Sequence, residues 1–277
     1  MASVAVPVPG KHEGLRAIAW LARTGFLVKG VLYLVIGALA LQVAAHEGGR
    51  FTGTGGALAA ALRQPFGEAL LLVAAIGLFG YAAWRIIQGV ADPERYGTDW
   101  KGLGMRIGFV GRGAMHAALG WHALRLYQGL RGSTGGAERA VAREALQWPF
   151  GEWLLVLTGL GVIAFAIQQV WSAFQGRLEQ NLDLGELRRE AGAWAVAVSR
   201  FGVAARALVL ALLGWGAIAA GWFRDASEVN TTASSLRTLG SQPGDIGQVL
   251  LGLAAVGFIA YGVYQFIHAR YLRIRLE

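Results

Sequence analysis

A seven-residue stretch with a basic residue at each end occurs three times in the chain. The copies are Arg23-Thr-Gly-Phe-Leu-Val-Lys29, Arg106-Ile-Gly-Phe-Val-Gly-Arg112 and Arg200-Phe-Gly-Val-Ala-Ala-Arg206. Self-similarity at a fixed period constrains the fold more than any local propensity, because each copy must be the same structural unit. Other positions fall into line once these are aligned: Gly25, Gly108 and Gly202; Gly37, Gly120 and Gly214; Pro65, Pro149 and Pro243; Gly77, Gly161 and Gly257; Tyr81, Phe165 and Tyr261. Two of the prolines lie in Pro-Phe-Gly-Glu, and the third reads Pro-Gly-Asp-Ile-Gly.

Each unit holds two continuous apolar runs, giving six at residues 24–45, 67–90, 107–128, 151–174, 201–223 and 247–267. A helix needs about 20 apolar residues to cross a bilayer. Runs that are continuous and rich in Ala and Leu, not alternating, argue for helices over strands. The sequence therefore predicts an all-α integral membrane protein of six transmembrane helices, arranged as three parallel helical hairpins about a pseudo-threefold axis, with a splayed, sequential arrangement of the hairpins as the alternative. Residues 1–15 form a tail and 16–96 repeat one. Residues 97–105 are an inner linker, 106–176 repeat two, 177–198 a second inner linker with an interfacial helix, and 199–277 repeat three with a basic C-terminal end. Between the two runs of each repeat the sequence predicts a short helix on the outer face, one turn longer in repeat two than in repeat one.

The Arg-x-Gly start with its second basic residue, the Pro-Phe-Gly before the even runs and the Gly-to-Tyr spacing within them resemble the bacterial membrane family called domain of unknown function 1206. The resemblance runs from about Ile18 to about Arg273. It implies three tandem two-helix repeats and carries no activity. Repeat three departs from the pattern at Pro-Gly-Asp-Ile-Gly and has Ala207 where the others have Gly30 and Gly113.

Composition agrees with a membrane chain. Hydrophobic residues make up 55% and charged residues 15%, against about 25% charged in soluble domains. With no cysteine, disulfides and thiolate chemistry are excluded. The N-terminus has no basic-then-apolar leader pattern, so the first run is expected to direct its own insertion. The net charge of +8 would raise nucleic acid as a partner in a soluble protein. Here it reads as loop charge, with no nucleic acid expected. Of the 25 basic residues, 17 fall in the tail, the two linkers, the C-terminal end and the adjoining helix ends. That bias predicts both termini on the cytoplasmic side of a bacterial cytoplasmic membrane.

Few residues are candidates for chemistry. Arg23, Arg106 and Arg200 suit headgroup contact at the inner interface. Lys29, Arg112 and Arg206 lie six residues further on, about 9 Å deeper. They read as possible lipid or anion contacts, expected to point outward and snorkel rather than form an anion-attracting ring. His116 and His122 are singular to repeat two. They lie about 240° apart around a helix, so one group is not easily held by both, and His116 is a weak candidate for haem or quinone contact. Arg85, Gln169 and Gln265 align and read as hydrogen-bonding between helices. No carboxylate falls mid-run, and no phosphate loop, zinc motif or nucleophile elbow is present. The expectation is a non-enzymatic membrane module without cofactor or metal, acting through lipids, including anionic headgroups, or through a membrane-protein partner. A passive channel or transporter for a small or anionic solute is the alternative.

Overall fold

The computed structural model describes residues 11–92, 95–130, 137–175 and 192–271. Among them all regular structure is helical: α1 (Lys11–Ala44), α2 (Thr54–Ala61), α3 (Gly67–Ala91), α4 (Trp100–Tyr127), α5 (Ala137–Ala145), α6 (Gly151–Phe174), α7 (Gly192–Phe223), a single 3-10 turn (Ala226–Glu228), α8 (Thr232–Gly240) and α9 (Asp245–Tyr271). Five segments are long and apolar enough to cross a membrane: Arg23–Ala44, α3, α6, Trp194–Phe223 and α9. The third expected span, α4, is absent from that set although its 28 residues give it ample length. Lys101, Arg106, Arg112, His116, His122 and Arg125 all lie on it.

Each short helix joins the two long ones of its repeat. α2 and α5 are followed by Pro-Phe-Gly, in which Phe66 and Phe150 both take φ 62°, in the left-handed helical region. That bend reverses the chain within three residues. A Cβ on Gly67 would meet the Ala61 carbonyl at 2.7 Å, so only glycine can follow the bend this closely. In repeat three, Gly244 (φ 62°) supplies the same conformation without the strain a bulky side chain carries there. α2 buries Ala57 and Leu58 in the main core with Leu71, Leu236 and Leu251. The described part of α5 has 9 residues against 8 in α2, and residues 131–136 before it lie outside the described residues. α8 is held at its start by a reciprocal cap between Thr231 and Ser234. In the second linker, the described part of the interfacial helix is continuous with the fifth span as α7; residues 176–191 lie outside the described residues.

The repeats interlock instead of folding as separate hairpins. The most extensive packing is between repeats: α1 along α9, α3 along α4, and α6 along α7. Within repeats, α1 packs on α3 and α7 on α9, whereas α4 and α6 are not a packed pair. The strongly packed helices run in the order α4–α3–α1–α9–α7–α6, with the two helices of repeat two at the ends. Close backbone approach through small residues drives helix association where lipid gives no hydrophobic drive. Accordingly, a Cβ on Gly262 would lie 2.9 Å from the Gly30 carbonyl, and one on Gly214 would lie 2.7 Å from the Gly159 carbonyl.

Candidate anion site

One basic residue from each repeat turns inward. Lys29 is 7% exposed, and Arg112 and Arg206 are half-buried. The outward expectation for these three is overturned. The face of α1 that bears Lys29 packs against α3 and α9, which leaves no lipid-facing route for the side chain. Each cation lies over the aligned aromatic ring of its own repeat. Lys29 Nζ is 4.3 Å from the Tyr81 ring centre, the Arg112 guanidinium 4.9 Å from Phe165, and the Arg206 guanidinium 4.9 Å from Tyr261.

A fourth cation joins them from α3. Arg85 Nε donates to the Tyr81 hydroxyl at 2.9 Å, and Lys29 Nζ donates to the same oxygen at 3.3 Å. Arg85 also donates to Gln88 Oε1 at 2.8 Å. Arg206 Nε donates to the Tyr33 hydroxyl of repeat one at 2.9 Å, and Arg112 Nε donates to the Gly108 carbonyl of its own helix at 3.0 Å. The four groups lie within electrostatic range of one another: Lys29 feels Arg206 and Arg85, and Arg112 feels Arg85 and Arg206. Every acceptor named is neutral. An ammonium carries three N–H donors and a guanidinium five, more than the five hydrogen bonds named here use.

The carboxylates of the long helices, counting α1 from Arg23, are Glu68, Glu152 and Asp245, each in the first turn of α3, α6 or α9. That is the opposite end from the cations, and Glu152 there pairs with Arg224 at 3.2 Å. Magnitudes show what is missing. Taking a charge out of water costs several kcal/mol per ion after relaxation, while a desolvated cation–π contact returns about 2 kcal/mol. The aromatic walls therefore offset only part of the cost, and an anion among the four groups would offset more. Guanidinium forks match an oxyanion such as phosphate or carboxylate in geometry as well as charge.

The other candidates separate from this cluster. Arg106 closes the end of α3, donating to the carbonyls of Gly89 at 2.8 Å and Val90 at 3.0 Å with Asp92 at 4.0 Å. It secures α4 to α3. Arg23 and Arg200 lie six residues nearer their helix starts than Lys29 and Arg206. His116 is buried at 6% exposure with its ring 4.5 Å from that of Tyr81. Its Nδ1 lies 2.7 Å from the Arg112 carbonyl and so donates there. Among the described residues no group of three or more His, Asp or Glu is placed to hold a metal ion. Sequence reasoning gave Arg85 a packing role and assigned none to Tyr33, Tyr81 and Tyr261. The four-residue spacing of Tyr81 and Arg85 puts them on one helix face, and that was the available signal.

The family described as Domain of Unknown Function (DUF1206) matches the chain three times, over residues 24–92, 107–176 and 201–272. The chain belongs to this family. Each DUF1206 match contains one of the three aligned cations and its aromatic partner. The chain is also similar to YxxB, an uncharacterized protein of Bacillus subtilis (strain 168), at 31% identity over 267 residues, spanning 96% of both chains. No solved structure matches.

Proposed function

We propose that this DUF1206 protein is a six-span protein of the bacterial cytoplasmic membrane that binds an oxyanion inside its helical body, near the cytoplasmic face, and acts by binding or passage without catalysis. The observation that carries this reading is the convergence of Lys29, Arg85, Arg112 and Arg206, whose hydrogen-bond partners among the described residues are neutral. Charged residues within membrane segments face the protein interior and mark ligand or ion paths. α4 counts as a span on the same physics: Arg112 and His116 turn inward, while the exposed Ile107, Val110, Met115 and Trp121 are apolar. This places the solute-binding alternative ahead of the scaffold reading that the sequence favoured.

The test uses purified full-length protein in detergent with inorganic phosphate and sulfate. A ligand that binds only the folded state raises stability, by about 2.7 kcal/mol at a hundred times its dissociation constant. Saturable stabilisation is expected. Lys29→Gln should weaken the anion affinity about tenfold to a hundredfold, the value of one or two charge-assisted hydrogen bonds. It should also leave the anion-free protein no less stable, because it removes a like charge from the cluster. No anion response in the wild type, or an unchanged response in Lys29→Gln, sinks the proposal. The orientation rests on the 17 basic residues assigned to one side. A single cysteine at Gly53 should react with an impermeant thiol reagent added to intact cells, and one at Thr98 only after permeabilisation; the reverse pattern overturns it.

A further inference from the structure

The cation cluster is open on one side, at the place where the fold breaks its own repeat. In repeat one the notch of Gly77 is filled by Val28: a Cβ on Gly77 would lie 2.7 Å from Val28 Cγ2. In repeat three the corresponding Gly257 is met by Ala205. The equivalent pair in repeat two is Gly161 and Gly111, and no atom of the described residues lies within 4 Å of where either Cβ would be. Gly108 shows the same contrast. Its counterparts Gly25 and Gly202 abut Tyr81 and Tyr261, while a Cβ on Gly108 would have only the Arg112 side chain near it, at 3.9 Å. α4 and α6 therefore flank an unfilled seam. Arg112, one of the four clustered cations, spans it to lie over the Phe165 ring at 4.9 Å.

We infer that the seam between α4 and α6 is a lateral entrance by which an anionic phospholipid, a diacyl lipid with a phosphate headgroup, reaches the cluster from the membrane. The inference rests on the anion-binding reading above and names its ligand class. Charge complementarity identifies the occupant: among the described residues, the charged group that reaches from α4 to α6 is the Arg112 guanidinium. The helix surfaces beside it carry exposed Ile107 and Leu157, each one turn before an open glycine, so a ligand arriving this way must be apolar along its length and anionic at its head. The depth agrees. Arg112 is about one and a half turns from the basic start of its helix, at the level where a headgroup meets the acyl region.

The experiment uses full-length protein in nanodiscs of phosphatidylglycerol mixed with phosphatidylcholine, followed by native mass spectrometry of retained lipid and by thermal unfolding with inorganic phosphate. Wild-type protein should retain phosphatidylglycerol in preference to phosphatidylcholine. Gly161→Leu and Gly111→Leu fill open space, so both should fold, lose retention about tenfold and keep the response to inorganic phosphate. Retention unchanged in both variants overturns the lateral entrance. Equal retention of the two lipids, with the phosphate response intact, gives the site to a water-borne anion and overturns this inference while leaving the anion-binding reading standing. Loss of the phosphate response in the wild type removes both. A dimer abolished by Gly161→Leu assigns the seam to a second copy of the chain and also overturns it.

Discussion

Repeats one and two begin from nearly the same sequence and fold to different ends. In repeat one, α1 and α3 close on each other: Val28 fills the Gly77 notch, Gly25 abuts Tyr81, and the Tyr81 hydroxyl takes Lys29. In repeat two, Gly111 stands where Val28 does and Phe165 where Tyr81 does, and α4 and α6 do not pack. The two changes act together. Without a side chain at 111 the notch of Gly161 has nothing to receive, and without a phenol at 165 the cation has a ring face on α6 but no hydroxyl there, and its Nε donates to the Gly108 carbonyl of its own helix instead. The helices of repeat two instead take their partners from neighbouring repeats, α4 from α3 and α6 from α7. Small-residue packing thus closes a hairpin only where the opposite helix supplies a group that fits the gap.

The largest expected effect tests that contrast directly. Gly77→Leu would drive a side chain into Val28 and toward the Thr24 carbonyl, 3.2 Å from the added Cβ. Overpacking of a tight contact costs about 1–3 kcal/mol, and the upper end is expected because backbone is involved. Gly161→Leu, the aligned substitution, should change stability by no more than about 0.5 kcal/mol, as for a surface change. Denaturation of the two variants in the same detergent measures the difference. Equal losses would mean that the seam is closed in solution.

The helices, the repeat and the glycine interfaces were legible in the sequence because they follow from apolar run length and from alignment of the chain with itself. The inward turn of Lys29, Arg112 and Arg206 was not. Six residues past a basic start fixes depth but not direction, and direction depends on which faces of α1, α4 and α7 the neighbouring repeats cover. Expecting snorkelling assumed a free lipid-facing side, which the α1–α9 and α3–α4 pairings remove. The aromatic partners were visible as aligned Tyr81, Phe165 and Tyr261, yet sequence spacing does not bring an odd helix against an even one. The open seam was hidden for a different reason. Position 111 differs among the three copies of the start (Val28, Gly111, Ala205), and its meaning appears only when Gly161 is seen with the same open space beside it.

The smallest expected effect concerns the phenol that repeat two lacks. Phe165→Tyr would give α6 the hydroxyl that Tyr81 gives α3, at a ring already 4.9 Å from the Arg112 guanidinium. In repeat one the equivalent hydroxyl accepts from Lys29 at 3.3 Å. A neutral acceptor offered to a charged donor contributes about 1.5 kcal/mol, so the anion-free protein should become more stable. The bound anion gains nothing from that oxygen, because a phenol accepting from Arg112 competes with the ligand for the same donors. Phosphate affinity should therefore fall about fivefold to tenfold while the folded state is strengthened. The opposite signs separate this effect from simple misfolding, which would lower both. If Phe165→Tyr leaves stability and affinity unchanged, Arg112 does not stay over ring 165 in solution, and the asymmetry of the cluster must then arise from the missing side chain at Gly111 alone.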